Sequence, residues 1–323
     1  MKENRKGWVD VLRGLSVFLV VMGHIWHGSI FHLFVNQFKM PMFYILSGFL
    51  FSPNTDPVSF LKKILFRLGI PWLLFSLIWL KLPIYIVMGD LSKAYSTIIS
   101  FISGNSLWFI PSFFLSQCIF YTVCKLSKNK MSAVFIASVM CFFVGFISAD
   151  SRVLHFWCFD TALTSIVFMY AGYYLKNHPK TLENITRRRS TLLLLLYIVL
   201  CFVGICIHPS ASLNFHTIEY GNLPMNILLM AIGIATAISV AIFIEQRYEL
   251  PFLKMLGRNS IVVYLLSSNT VPLVRKLASM INIDITTNIA ISFIAAVIVC
   301  TFNAFVSELC TKNAPWSVGL RKR

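Results

Sequence analysis

Stretches of about 20 apolar residues recur from one end of this 323-residue chain to the other, and no other feature constrains its fold as tightly. As a helix, a run of that length crosses the hydrocarbon core of a bilayer. In lipid every backbone N–H and C=O must be paired internally, which leaves helices or a closed barrel. Barrel strands would alternate apolar and polar residues over about ten positions. These runs are uninterrupted, so they select helices. Composition agrees: 57% hydrophobic and 12% charged residues, with a mean hydropathy of +0.76, against about 25% charged in a soluble domain. The chain is therefore expected to be an all-α, polytopic membrane protein.

Ten spans are expected: Trp8–His27, Gln37–Phe51, Leu68–Met88, Leu107–Cys124, Ser132–Ser148, Phe156–Leu175, Thr191–Ile207, Leu223–Ile244, Arg258–Val274 and Asn288–Leu309. Prolines 71 and 83 are expected to kink or bound the third. Lys and Arg concentrate before the first span, after the second, fourth, sixth and eighth, and at the C-terminus. By the positive-inside rule this places both termini in the cytoplasm, which an odd number of spans would not satisfy. Neither an internal repeat nor room for a soluble domain is visible, and no cleavable signal peptide is expected. Residues 1–323 read as one membrane domain, with a core over about 8–310 and a basic cytoplasmic tail over 311–323.

The formal net charge of +16 invites a nucleic-acid reading, but the cations sit in short clusters between spans, as orientation signals do. Nucleic acid is therefore not an expected partner. Some of these clusters can bind anionic headgroups of membrane lipids or a phosphorylated ligand. The eight cysteines form no CxxC or His-rich pattern, so neither a metal site nor a disulfide framework is expected.

Within the first span, Arg13 and His24 are eleven positions apart. On a helix that is about 16 Å of rise and about three turns, so both side chains share a face. Asp10, three residues before Arg13, can hold the guanidinium in place. Ionisable groups at membrane depth are costly and mark functional sites by default. The plainer alternatives are a histidine bonded to a neighbouring helix and an arginine snorkelling to headgroups. Lys63 and Arg67, at i and i+4, make a plausible anion clamp or serve only as orientation signals, and Lys62 reads as the latter. Ser47 and Gly48 suit helix packing, with a tunnel-lining Ser47 hydroxyl as the sharper alternative. Trp108 is either an interfacial belt residue or a platform for a sugar ring, with Asn105 nearby to bind hydroxyls. Asp160 or Glu308 can orient His24, or pair with Lys81, Arg152 or Lys312. His27, His32, His155, His178, His208 and His216 read as interfacial or loop residues needing no special role.

Several segments together resemble the acyltransferase-3 family of integral-membrane acyltransferases. Asp10-Val-Leu-Arg13-Gly followed by His24 is similar to that family's arginine, ten residues and histidine in its first helix. Phe38-Lys-Met-Pro-Met-Phe43-Tyr-Ile-Leu-Ser47-Gly48 resembles its F-x-M-P-x-F-x-x-x-S-G segment, and Phe60-Leu-Lys-Lys63-Ile-Leu-Phe-Arg67-Leu-Gly-Ile-Pro71 its basic entry to the third helix. Ser106-Leu-Trp108-Phe-Ile-Pro111, Phe168-Met-Tyr-Ala-Gly172-Tyr-Tyr-Leu175 and Leu256-Gly-Arg-Asn259-Ser260-Ile-Val-Val-Tyr264 follow in family order. The resemblance covers about residues 5 to 310. Two positions depart from it: Lys39 and Ser267 stand where many relatives carry histidine, which bears on secondary roles such as acceptor choice.

The resemblance implies transfer of an acyl group, usually acetyl from acetyl-CoA, to a hydroxyl of a surface polysaccharide, lipid-linked glycan or other carbohydrate in a bacterial cytoplasmic membrane. It points to the stand-alone members, such as the fucose 4-O-acetylase-like group. Coenzyme A would bring phosphates to a mouth formed by Arg13, Lys63 and Arg67. His24, at about mid-depth or beyond, would act as general base or acyl-carrying nucleophile, with Asp10 orienting Arg13. Trp108, Asn105, Ser47 and Lys39 are the expected acceptor-side residues. A transporter or a non-catalytic subunit of a polysaccharide assembly are the alternatives, and a homo-oligomer is compatible with any of them.

Overall fold

A computed structural model describes residues 6–26, 28–79, 82–105, 107–149, 156–207 and 213–320. His27, Lys81, Arg152, His155, His208 and the terminal Arg321–Arg323 lie outside the described residues. The chain is helical: α1 (Gly7–Ile25), α2 (Ser29–Asn36), α3 (Pro41–Leu50), α4 (Pro57–Ile64), α5 (Ile70–Trp79), α6 (Leu82–Val87), α7 (Leu91–Ile102), α8 (Phe109–Leu126), α9 (Met131–Ala149), α10 (Phe159–Thr164), α11 (Ile166–Asn177), α12 (Lys180–Glu183), α13 (Arg187–Ile207), α14 (Leu223–Glu245), α15 (Pro251–Arg258), α16 (Ser260–Met280) and α17 (Ile289–Asn313).

Six of these, α1, α8, α9, α13, α14 and α17, are long and apolar enough to cross a membrane, so the protein is a polytopic all-α membrane protein. Of the other expected spans, the second, third and sixth are shorter or interrupted, whereas the ninth is the continuous 21-residue α16. The second is not one continuous helix from Gln37: residues 37–40 form a turn between α2 and α3, where Pro41 opens the next helix. The third begins earlier than expected, at Pro57, and contains a π-helical stretch, Leu65–Gly69, between α4 and α5. The sixth starts with Trp157 and Cys158, both left-handed, before α10. Helix starts have local causes. Asp56 accepts from Ser59 N at 3.0 Å, Asn222 from Met225 N at 3.1 Å and Asn288 from Ala290 N at 2.9 Å, each filling an otherwise orphaned donor.

The N-terminal α1 is the centre of the bundle, with 72% of its apolar window buried against 50% for the next most buried span, α14. Leu12 and Val20 join one core cluster with α3, α8, α11 and α14, while Val17, Val21 and Ile25 join another with α16 and α17. Two glycine pairs set the closest crossings. A Cβ on Gly14 would lie 2.0 Å from Leu253 O, and one on Gly257 would lie 1.9 Å from Asp10 O, so α1 and α15 meet backbone to backbone. A Cβ on Gly48 would lie 1.9 Å from Met169 O, and one on Gly172 would lie 1.8 Å from Ile45 O, which locks α3 to α11 in the same way. Gly48 is thus a packing residue, as small residues at membrane helix contacts usually are.

The segment after α17 does not hang free as a tail. Pro315–Val318 forms a 3-10 turn, and Gly319, at φ 71°, sits against the backbone of Phe66 and Arg67.

Candidate active site

The α1/α15 crossing places Arg13 beside the start of α16. The π-helical stretch carries Arg67 one turn beyond Lys63. These elements open onto a single cavity of about 200 Å³, lined by Arg13, Lys63, Arg67 and Arg258 among others. Four cations from three segments therefore face one space, and no Asp or Glu is among its lining residues. A multiply charged anion is the complementary ligand. π-helical turns are rare and recur at functional sites, which fits the position of Arg67.

Ser47 from α3 and Gln117 from α8 supply neutral polar groups to the wall. Asn259 and Ser307 are also in the lining, joined by a 2.7 Å hydrogen bond from the Ser307 hydroxyl to Asn259 Oδ1, which ties α16 to α17. Val318 and Leu320 line the cavity too, so the folded-back C-terminal segment is part of it. Asp10, buried one turn before Arg13, has its carbonyl facing Gly257.

Phe43, Phe109 and Tyr264 line the same cavity. Phe43 and Phe109 lie 5.3 Å apart between ring centroids, and Phe109 and Tyr264 5.4 Å apart edge to face. Lys39 is four residues before Phe43, and Trp108 immediately precedes Phe109. The aromatic cluster thus forms part of the wall of the cationic cavity.

His24 belongs to the other end of the bundle. It is exposed in the last turn of α1 and does not line the cationic cavity. A 19-residue helix is ~28 Å long, close to the thickness of a bilayer core. His24 therefore lies beyond mid-depth. Its carbonyl accepts from Arg275 Nη2 at 3.1 Å. Lys39 Nζ lies 3.0 Å, and His32 Cε1 3.5 Å, from where a Cβ on the adjacent Gly23 would sit. Glu308 is exposed toward the opposite end of α17, next to the cavity residue Ser307, and is not placed to orient His24. Asp160 is buried in α10, its Oδ1 accepting from Thr161 N at 2.8 Å.

Trp108 carries the imidazole of His216 on one face, with centroids 5.0 Å apart and planes 19° apart. His216, expected as an unremarkable loop residue, makes this stack from the loop that follows α13. Asn105 Oδ1 is buried without a hydrogen-bond partner among the described residues.

The structure thus gathers Arg13, Lys63, Arg67 and Ser47 into one cavity, and sets His24 and Lys39 together at the far end of α1. Sequence reasoning passed over Arg258 and Tyr264 as site residues, although both stand in a segment it singled out. Arg258 looked like one more orientation signal, and a tyrosine inside a span has no signature of its own. Among the described residues no cluster of His, Cys, Asp and Glu could hold a metal ion.

No curated protein and no solved structure matches the chain. A family model described as an acyltransferase domain, the acyltransferase-3 domain, matches residues 6–306, which takes in Arg13, His24, the π-helical stretch and the Asn259–Tyr264 segment. The chain therefore belongs to the acyltransferase-3 family and is a membrane acyltransferase.

Proposed function

We propose that the protein transfers an acyl group, acetyl from acetyl-CoA, to a hydroxyl of a surface polysaccharide, lipid-linked glycan or other carbohydrate at the cytoplasmic membrane of a bacterium. The observation that carries this reading is the convergence of Arg13, Lys63, Arg67 and Arg258 on one cavity without an acidic lining residue. The positive-inside distribution puts that end in the cytoplasm, where acyl-CoA is found. Coenzyme A supplies phosphates for these cations and a thioester on a long thin arm that can reach past the aromatic cluster.

His24 acts as general base. A neutral imidazole nitrogen takes the proton of the acceptor hydroxyl while its oxygen attacks the thioester carbonyl and the CoA thiolate leaves. In the variant mechanism His24 itself carries the acyl group between donor and acceptor. Arg13, beside Asp10 on the same helix, anchors a phosphate or supports the thioester end with its planar fork.

The interruptions between α2 and α3 and within the third span also occur in transporters, whose sites sit at broken helices. Radiolabelled acetyl-CoA given to the purified protein with candidate glycans separates the readings, because only the enzyme transfers label. Wild type is expected to label an acceptor, and His24→Ala to lose about 10²-fold or more of that activity at equal protein level. Substantial residual transfer would remove His24 from the mechanism.

A further inference from the structure

The last described residues of the chain are built into the wall of the cationic cavity. Pro315 cannot continue α17, and Ala314 N closes that helix by donating to Cys310 O at 2.8 Å. The chain then folds back through the 3-10 turn Pro315–Val318. Local bonds brace the reversal: Ser317 Oγ donates to Ala314 O at 2.7 Å, Gly319 N to Trp316 O at 3.1 Å and Leu320 N to Pro315 O at 2.9 Å. Gly319 takes φ 71°, a left-handed conformation that a Cβ disfavours. The result is that Val318 and Leu320 join Ser307 and Thr311 of α17 in the cavity lining.

Gly319 is also where this segment meets the π-helical stretch. A Cβ there would lie 2.8 Å from both the Cα and the carbonyl oxygen of Arg67, and 2.9 Å from Phe66 O. The backbone of Arg67 thus has a second backbone pressed against it. In this stretch Ile70 N donates to Leu65 O, five residues back. A helical register so rare persists where its surroundings hold it, and Gly319 is one of the holding contacts. Leu320 does something different. It lines the cavity yet is exposed, so it stands at the rim, an aliphatic group beside a cationic lining. A bare inorganic anion leaves that group unused. A phosphate ester with an apolar body satisfies both the cations and the rim.

We propose that residues 314–320 form a strap that sets ligand affinity at the cationic cavity. Gly319 is a positioning residue that holds the turn carrying Arg67, and Leu320 is a rim residue that touches the apolar body of a phosphate ester. The strap lies beyond residue 306, where the match to the acyltransferase domain ends, so these roles belong to this chain's own C-terminal segment. That the ester is acetyl-CoA rests on the function proposed above. The dependence of anion binding on Gly319 does not.

Calorimetric titration of the purified full chain with coenzyme A and, separately, with pyrophosphate tests both roles. Wild type is expected to bind both. In Gly319→Ala the new Cβ meets Arg67 Cα, so both anions should bind about tenfold more weakly, the loss of one charge-assisted contact. Displacing a strap at the edge of the fold is a local opening, so the melting temperature should not change. Leu320→Ser keeps the backbone and removes the aliphatic contact. Coenzyme A should then bind about fivefold more weakly while pyrophosphate binds as before, a split that general loss of structure would not produce. Wild-type affinities in Gly319→Ala, or weakened binding accompanied by a fall in melting temperature, overturn the positioning role. An unchanged coenzyme A affinity in Leu320→Ser, or equal weakening of both anions, overturns the rim contact. Wild type that binds pyrophosphate but not coenzyme A would sink the donor reading and the rim contact, while Gly319→Ala still reads the strap; wild type that binds neither sinks all three.

Discussion

At the residue scale, Arg13 and His24 were legible because an ionisable group inside an apolar run stands out against its neighbours. Arg13 lines the cationic cavity. If it grips a phosphate or thioester oxygen through its planar fork, Arg13→Lys should lower kcat/KM for acetyl-CoA about tenfold or more although charge is kept. Wild-type kinetics in that variant would reduce Arg13 to an orientation signal. His216 was not legible, since a histidine in a polar loop carries no pattern and its partner Trp108 lies more than a hundred positions earlier. Burial holds the His216 pKa below its ordinary 6.5, with the Asp160 carboxylate acting against the shift. The unfolded chain therefore takes up a proton first as pH falls through about 6.5, and the native state loses ground until the folded value is passed. The melting temperature of wild type should fall more between about pH 7.5 and about pH 5 than that of His216→Phe; equal falls would contradict the assignment.

At the scale of elements, every expected apolar segment has a helical counterpart, because a 20-residue apolar run leaves the backbone no other way to pair. What escaped were the short helices and interruptions. α15 is only eight residues and amphipathic, so it reads as a charged connection, yet it forms the tightest partner of α1. The turn at 37–40 is hidden because Phe38 and Met40 keep the stretch apolar. The π-helical stretch differs from α-helix by hydrogen-bond register alone, which composition does not encode. The α1/α15 crossing allows a sharp comparison. In Gly257→Ala the new Cβ would meet Asp10 O at 1.9 Å, backbone against backbone. Overpacking of this kind costs about 1–3 kcal/mol or more, and it displaces the turn that carries Arg13. Gly69→Ala meets only Leu65 Cδ2, at 3.8 Å, and should be neutral. Thermal melting of the two variants in detergent checks this; equal melting temperatures would mean that the crossing yields without cost.

At the scale of the whole molecule, the two ends of α1 have different chemistry. One opens onto four cations and the other holds His24, Lys39, Arg275 and the 213–222 loop. Phe43, Phe109 and Tyr264 pack together in the wall of the cationic cavity. The chain order of charge and apolarity gives an expected orientation, with the basic end in the cytoplasm. It could not indicate that a polar loop would fold into the opposite end, since that depends on hydrogen bonds from Asn36 and Thr161, in two distant segments, besides the nearby Asn226. The most direct measurement is acetyl transfer in sealed vesicles of single orientation, with labelled acetyl-CoA supplied to one side at a time. Transfer is expected only when the donor is on the side bearing Arg13, Lys63, Arg67 and Arg258. Equal transfer with acetyl-CoA confined to the His24 side would contradict the account.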